Sequence, residues 1–348
     1  MPVAADRDLR TAATRLGEWL DRSVPELAGR EVLGLRVPAA SGFSHETLVA
    51  ELTGATIVVR IARPEHRICP DADLGTESAV LCALGSGGLP VPRVYGREPD
   101  PEVLGGPFLV QQHLAGDVPA DLPSYHREGW LHGLRPGQRE ALWWGAVDAL
   151  AVLHRTATPV IAALAPVDDL DDLERHLDFY RCADEPVVHG ALDWARAYPP
   201  PAAPTRLLWG DARLGNIVFR GTAVGGLLDW ELTGTGSAET DLAWFVHLDR
   251  HLSEGIGAPR LDGFPSTTAT VRHYERRSGR PVTGFSRHLV RAALRFAATA
   301  CRVTSLLVEA RVVEDPLGFP LRRNALVLLH RTLAEAGEAP DDDWRDLL

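Results

Sequence analysis

The feature that most constrains how this chain can fold is a change of rhythm near residue 115. Before it, apolar runs of strand length recur: "EVLGLRVPAA", "ETLVAEL", "ATIVVRIA", "VPRVYG" and "PFLVQQHL". Glycine and proline punctuate them, and Val and Ile are frequent, as strands require. Beyond it, apolar residues return three and four positions apart, as in Leu142, Ala146, Leu150 and Leu153. From Asp241 onward the chain reads as almost continuous helix. Strands gathered in one part and helices in the other predict an α+β chain: an antiparallel sheet, then a mainly helical region. The expected division is 1–115 and 116–348. A helix is expected over 7–24, where Leu9, Ala13, Leu16 and Leu20 share a face, and a second in "DLGTESAVLCALGSG" inside the strand-rich part. Within the helical part, three strand-like exceptions stand at 206–208, 216–220 and 224–229.

Composition removes several function classes. The net charge is −11, whereas a general nucleic-acid binder needs basic stripes to neutralise phosphates. No apolar run approaches the ~18 residues of a transmembrane helix, and "MPVAADRDLR" has no apolar signal-peptide segment. The cysteines, Cys69, Cys82, Cys182 and Cys301, are scattered and form no CxxC pair. That argues against a zinc site or a disulfide framework and leads us to expect a reducing, cytoplasmic setting without nucleic-acid or membrane partners. All 36 fixed side-chain cations are arginines; there is no lysine.

One stretch breaks its own pattern. "LLWGDARLGNIVF", residues 207–219, is apolar at both ends but carries Asp211, Arg213 and Asn216 in its middle. Asp211 and Asn216 have the D-x4-N spacing of a kinase catalytic loop. Thirteen residues beyond Asn216, at the end of another short apolar run, stands Asp229. Phosphoryl transfer needs such a set. One carboxylate takes or orients the substrate hydroxyl, and a second acid and an amide hold Mg2+ on the phosphates. A loop returning through a short hairpin can gather all three.

These residues resemble the aminoglycoside phosphotransferase-like kinases, the broad phosphotransferase enzyme family. The closest resemblance is to a bacterial branch related to the kinase-like domains attached to some acyl-CoA dehydrogenases. It rests on Trp209 to Asn216, on "LDWE" at Leu228 to Glu231 and on "DLAW" at Asp241 to Trp244, and it runs from about residue 30 to 335. It implies a protein-kinase-like two-lobed fold and ATP- and Mg2+-dependent transfer of the γ-phosphate to the hydroxyl of a small molecule. By the same resemblance Asp211 is the catalytic base, and Asn216 and Asp229 are the metal ligands. Asp241 braces the catalytic loop as a helix N-cap, and Trp209 and His154 are structural.

The resemblance extends less sharply into the first 115 residues. "ASGFSHETLVAEL" resembles a phosphate-covering loop, with Ser44 and the Phe43 backbone as nucleotide contacts. Arg60 stands where a kinase places its phosphate-binding lysine; arginine can grip phosphate and pair with a carboxylate. Glu77, on the following helix, is its expected partner. "GGPFLVQQHLAGD" resembles the hinge, where adenine would bond the Gln112 carbonyl and the His113 N–H. Arg213 is open between a phosphate contact and a surface ion pair.

Two further readings stay open: a catalytically silent kinase fold acting as a binding protein, and a kinase of hydroxyacyl thioesters. For the substrate, the wall expected around 247–265 mixes Asp249, Glu254 and Asp262 with Arg250, Arg260, His247 and His251. That mixture does not favour a strongly cationic aminoglycoside over a neutral or nucleoside-type antibiotic or another hydroxylated metabolite.

Overall fold

The structure is a computed structural model and describes residues 7–38, 44–70 and 72–337. The chain divides into two compact units, residues 1–115 and 116–348.

In the first unit, α1 (Leu9–Ser23) leads into β1 (Val32–Arg36), β2 (His45–Leu52) and β3 (Ala55–Ala62). Then follow α2 (Leu74–Ser86), β4 (Val94–Glu98) and β5 (Phe108–Gln112). The strands form one antiparallel sheet in the order β1-β2-β3-β5-β4. β2 and β3 are joined by the two-residue turn Thr53-Gly54, and Gly54 takes φ +76°, which glycine adopts without steric cost. Side chains alternate across a strand. Ile57, Val59 and Ile61 therefore share one face of β3 and enter a core with Leu16, Trp19 and Leu20 of α1. Trp19 meets Phe108 edge-on at 4.8 Å. Arg60 takes the other face, toward α2.

Both expected helices of this unit are present. α1 is capped by Asp8, which accepts from the Arg10 N–H, and it buries Ala12 rather than Ala13 with Leu16 and Leu20. α2 is capped by Asp73, which accepts from the Thr76 N–H.

In the second unit, α3 (Pro136–Leu153) has proline at its first position, where no intrahelical N–H is needed. α4 (Leu170–Arg175), α5 (Leu177–Tyr180) and α6 (Pro186–Ala197) follow. Short strands come next: β6 (Arg206–Leu208), the hairpin of β7 (Ile217–Arg220) and β8 (Ala223–Leu227), and β9 (Gly234–Gly236). β6 pairs with β9, and β7 with β8, both antiparallel. The unit ends in α7 (Ala238–Leu252), α8 (Thr267–Ser278), α9 (Phe285–Glu309) and α10 (Pro320–Ala336). α9 packs along α7, α6 and α10. β9, Gly-Thr-Gly, carries no strand signal of its own; its pairing with β6 makes it one. Among the described residues no helix is long and apolar enough to cross a membrane.

Candidate active site

The loop between β6 and β7 is held from below by α7. Asp241 accepts from the Trp209 N–H at 2.7 Å and the Gly210 N–H at 3.0 Å. His154, at the end of α3, contacts the same carboxylate at 3.1 Å and the Tyr274 hydroxyl at 2.7 Å. Asp241 is not a helix N-cap, as the sequence suggested: Ser237 occupies that place, and Asp241 lies in the first turn with no exposed surface. It caps the loop's backbone instead. Gly210 takes φ +86°, and a Cβ there would fall 1.8 Å from the Leu232 carbonyl oxygen, so only glycine fits. Trp209 is core: it stacks on Trp230 and donates to the Leu228 carbonyl at 2.8 Å.

The Asp211 carboxylate is held at both oxygens. Trp244 donates its indole N–H to Oδ1 at 2.8 Å. Asn216 Nδ2 donates to Oδ2 at 2.7 Å and to the Asp211 carbonyl at 3.0 Å. Arg213 Nε donates to Oδ2 at 2.8 Å, and its far nitrogen pairs with Asp121. Arg213 is therefore engaged by acids of its own unit. Burial, and after it the charge of Asp229, push the Asp211 carboxyl up to about 7, against the bonds from Trp244 and Asn216. An acid raised by the charge of a neighbouring carboxylate calls for a cation or a proton beside it.

Asp229 follows β8 with φ +57°, a left-handed backbone that non-glycine residues seldom adopt. Such conformations persist where the surroundings enforce them, often at functional positions. Asn216 is buried, and its N–H groups are turned to Asp211, which leaves its amide oxygen as the group a cation could use. Among the described residues, no group of three or more His, Cys, Asp or Glu could hold a metal by itself. An amide and an acid suit Mg2+, which takes one or two protein ligands and completes its shell with water and substrate phosphates.

Sequence reasoning did not foresee the roles of Trp244 and Arg295. Arg295, on α9, stacks over the Trp244 ring at 3.8 Å and donates to the Gly210 carbonyl. Trp244 lies one turn after Asp241 on α7, and that spacing was its available signal. Arg295 had none.

In the first unit, Arg60 Nη1 donates to Glu77 Oε1 at 2.6 Å, and its other nitrogen lies 3.2 Å from His45 Nδ1. Gln111 donates to the same Glu77 oxygen at 3.2 Å. Glu77 is 1% exposed at its side chain and Arg60 10%, so this is a buried pair rather than a surface charge. Ser44 is buried just before β2, with no hydrogen-bond partner for its hydroxyl among the described residues. It lines a cavity of about 230 Å3 together with Arg63, Arg97 and Asp73. Phe43 lies outside the described residues. Gln112 ends β5 and His113 follows it; burial lowers the His113 pKa.

The family model described as "Phosphotransferase enzyme family" matches residues 36–279. Acyl-CoA dehydrogenase family member 11 of Gallus gallus is 30% identical over 241 residues, which cover 66% of this chain and 30% of that protein. Acyl-CoA dehydrogenase family member 10 of Mus musculus is 28% identical over 213 residues, 58% of this chain and 19% of that protein. The chain thus matches less than a third of the length of these relatives. A Ralstonia eutropha protein provisionally designated an aminoglycoside phosphotransferase superposes with a TM-score of 0.70 at 23% identity, over 92% of this chain and 98% of its own. Aminoglycoside phosphotransferase APH(4)-Ia, in a ternary complex with AMP-PNP and hygromycin B, gives 0.59 at 13% identity, over 89% of this chain and 96% of its own. At these identities the superpositions establish a shared fold.

Proposed function

Since the chain belongs to the phosphotransferase enzyme family, we propose that it is a kinase moving the γ-phosphate of ATP to a hydroxyl of a small molecule. The observation that carries the reading is the Asp211 carboxylate. It is oriented at both oxygens by Trp244, Asn216 and Arg213, and raised to about 7 by burial and Asp229. A base tuned near neutrality accepts the proton of an attacking alcohol far better than an ordinary aspartate does. A nucleotide complex of a protein with the same fold supports ATP as the donor.

Asp211 receives the hydroxyl proton as the substrate oxygen bonds the γ-phosphorus and the bond from that phosphorus to the bridging oxygen breaks, releasing ADP. Trp244 keeps the carboxylate aimed, and Asp241 fixes the loop that presents it. Asn216 and Asp229 would hold Mg2+, which when bound neutralises phosphate charge. Arg60, steadied by Glu77, would grip the phosphates in place of a lysine. Ser44 and the Phe43 backbone would contact the phosphates, and the Gln112 carbonyl and His113 N–H the adenine. A cytoplasmic setting is proposed on the same footing as the ATP it requires.

The test is a panel of hydroxylated compounds (neutral antibiotics, nucleosides, hydroxyacyl thioesters and aminoglycosides) incubated with ATP and Mg2+. The expected result is one class gaining a phosphate by mass spectrometry. Turnover should fall about 10²- to 10⁴-fold in Asp211→Asn while ATP affinity stays close to wild type. ATP binding without transfer to any class would favour the silent-fold reading. Equal turnover by Asp211→Asn would remove Asp211 from the chemistry.

A further inference from the structure

The second unit carries a cavity that the phosphoryl-transfer set does not use. It has a volume of about 290 Å3, and its walls come from α3, α7, α8, α9 and α10. An apolar cavity of about 150 Å3 already holds benzene, so this one has room for a substituted ring. Its position on α7 separates it from Asp211. Successive helix residues turn by about 100°. Relative to Trp244, which binds Asp211, the lining residues Val246, Asp249 and Arg250 stand roughly 200°, 140° and 240° around the axis. They lie on the opposite face of the helix from the reacting carboxylate.

Its chemistry is specific. Val246, Phe285 and Leu289 supply apolar wall, and the Trp143 indole N–H is already engaged by Thr270 at 2.9 Å. The charged lining residues are paired among themselves. Asp249 takes Arg260 at 2.6 Å, and Arg250 takes Glu254 and Glu335, both at 2.9 Å. Arg260 also lies over the Trp143 ring at 4.9 Å. Ser286 is the exception: it is 3% exposed, lines the cavity and has no partner for its hydroxyl among the described residues. It stands in the first turn of α9, a 25-residue helix without a side-chain cap; the N–H groups of Arg287 and His288 bond the Gly284 carbonyl, and those of Phe285 and Ser286 before them have no intrahelical acceptor. A buried hydroxyl and helix N–H groups left without acceptors are costly unless something meets them.

We propose that this cavity is a second small-molecule site, for an uncharged, largely aromatic or aliphatic compound carrying one hydrogen-bonding oxygen, which Ser286 and the first turn of α9 receive. The paired charges argue against an ionic ligand, since an ion would have to displace an existing ion pair. The proposal does not depend on the kinase reading.

The probe is benzyl alcohol, titrated into the full chain without nucleotide and followed by methyl NMR. Shifts should saturate and centre on Val246 and Leu289. Ser286→Ala should weaken binding about three- to tenfold, the worth of one hydrogen bond, and Leu289→Trp should abolish it by filling the space. Benzoate should bind at least tenfold more weakly than benzyl alcohol. Should Leu289→Trp fail to fold, Ser286→Ala and the benzoate comparison still decide the matter. Unsaturable shifts scattered over the surface, equal affinity in Ser286→Ala, or tighter binding of benzoate would each overturn the proposal. So would contacts from Trp344 to these methyls in the unliganded protein, because they would assign the cavity to the chain's own C-terminal segment. None of these readouts requires ATP turnover, so a failed kinase assay and a failed titration remain distinguishable.

Discussion

Each unit withdraws one of its acids from most of the solvent, Glu77 to 1% and Asp211 to 14% side-chain exposure, and the two differ in what else lies beside them. Glu77 lies against a guanidinium, with an amide donor on the same oxygen. Asp211 accepts from the neutral donors Trp244 and Asn216 as well as from the Arg213 guanidinium, and it faces the charge of another acid, Asp229. The Glu77 arrangement satisfies a charge and keeps Arg60 in one place. The Asp211 arrangement leaves a charge under tension, which suits a group that must take up a proton. A guanidinium partner is common to both acids; what sets Asp211 apart is the second acid, Asp229, whose charge adds to desolvation in pushing its carboxyl up.

The comparison breaks most sharply at Asp229. If its charge serves a metal as well as raising Asp211, Asp229→Ala should reduce transfer below detection while circular dichroism stays native. Retained turnover at saturating Mg2+ would make the left-handed residue a structural oddity. The next effect is on stability. Glu77→Gln removes the anion from a buried pair and should destabilise by about 3 kcal/mol in urea unfolding. Asp211→Asn, which relieves repulsion from Asp229 while losing a carboxylate acceptor, should stay within about 1 kcal/mol of wild type. Equal losses would show that the two acids are held alike.

Acidity sharpens the contrast from another side. Burial lowers the pKa of His251 to about 4 and holds that of His247 well below its usual value, with the charges of His251, Arg250 and Arg295 adding to the latter. The folded value of His251 lies below the usual 6.5. The unfolded chain therefore takes the proton first, and stability is lost as pH falls from about 6.5 toward 4. Asp211, raised to about 7, acts in the opposite sense over the same window. Comparing wild type with His251→Gln isolates the histidine. Between pH 7 and pH 5 the wild type should lose roughly 2 kcal/mol more than the variant, and equal losses would show that His251 is not held neutral. The smallest effect belongs to Trp244→Phe. It removes one hydrogen bond to Asp211 and should lower kcat about three- to tenfold with KM nearly unchanged; a rise in KM alone would place Trp244 on the substrate instead.

Much of this architecture was legible without coordinates. The five strands of the first unit follow its apolar runs, and α3, α8, α9 and α10 follow their helical spacing, because strand and helix periods are local properties of a few neighbouring residues. The D-x4-N loop and Asp229 stood out for the same reason, as polar residues interrupting short apolar runs. Asp241 shows where that reasoning stops. A helix start with an acid reads as an N-cap, yet the cap is Ser237, and Asp241 serves a loop thirty residues earlier in the chain.

The sequence by itself determined the order of strands and helices and the chemistry available to the loop. The tertiary structure decided what that chemistry faces. It set Trp244 against one oxygen of Asp211 and Asn216 and Arg213 against the other, brought Asp229 near in a left-handed backbone, and laid Arg295 over the Trp244 ring. It also made a strand of Gly-Thr-Gly by pairing it with β6. Arg295 also reaches the Gly210 carbonyl, 85 positions earlier in the chain. The energies of these contacts depend on burial and on the neighbour's charge, neither of which a local pattern carries.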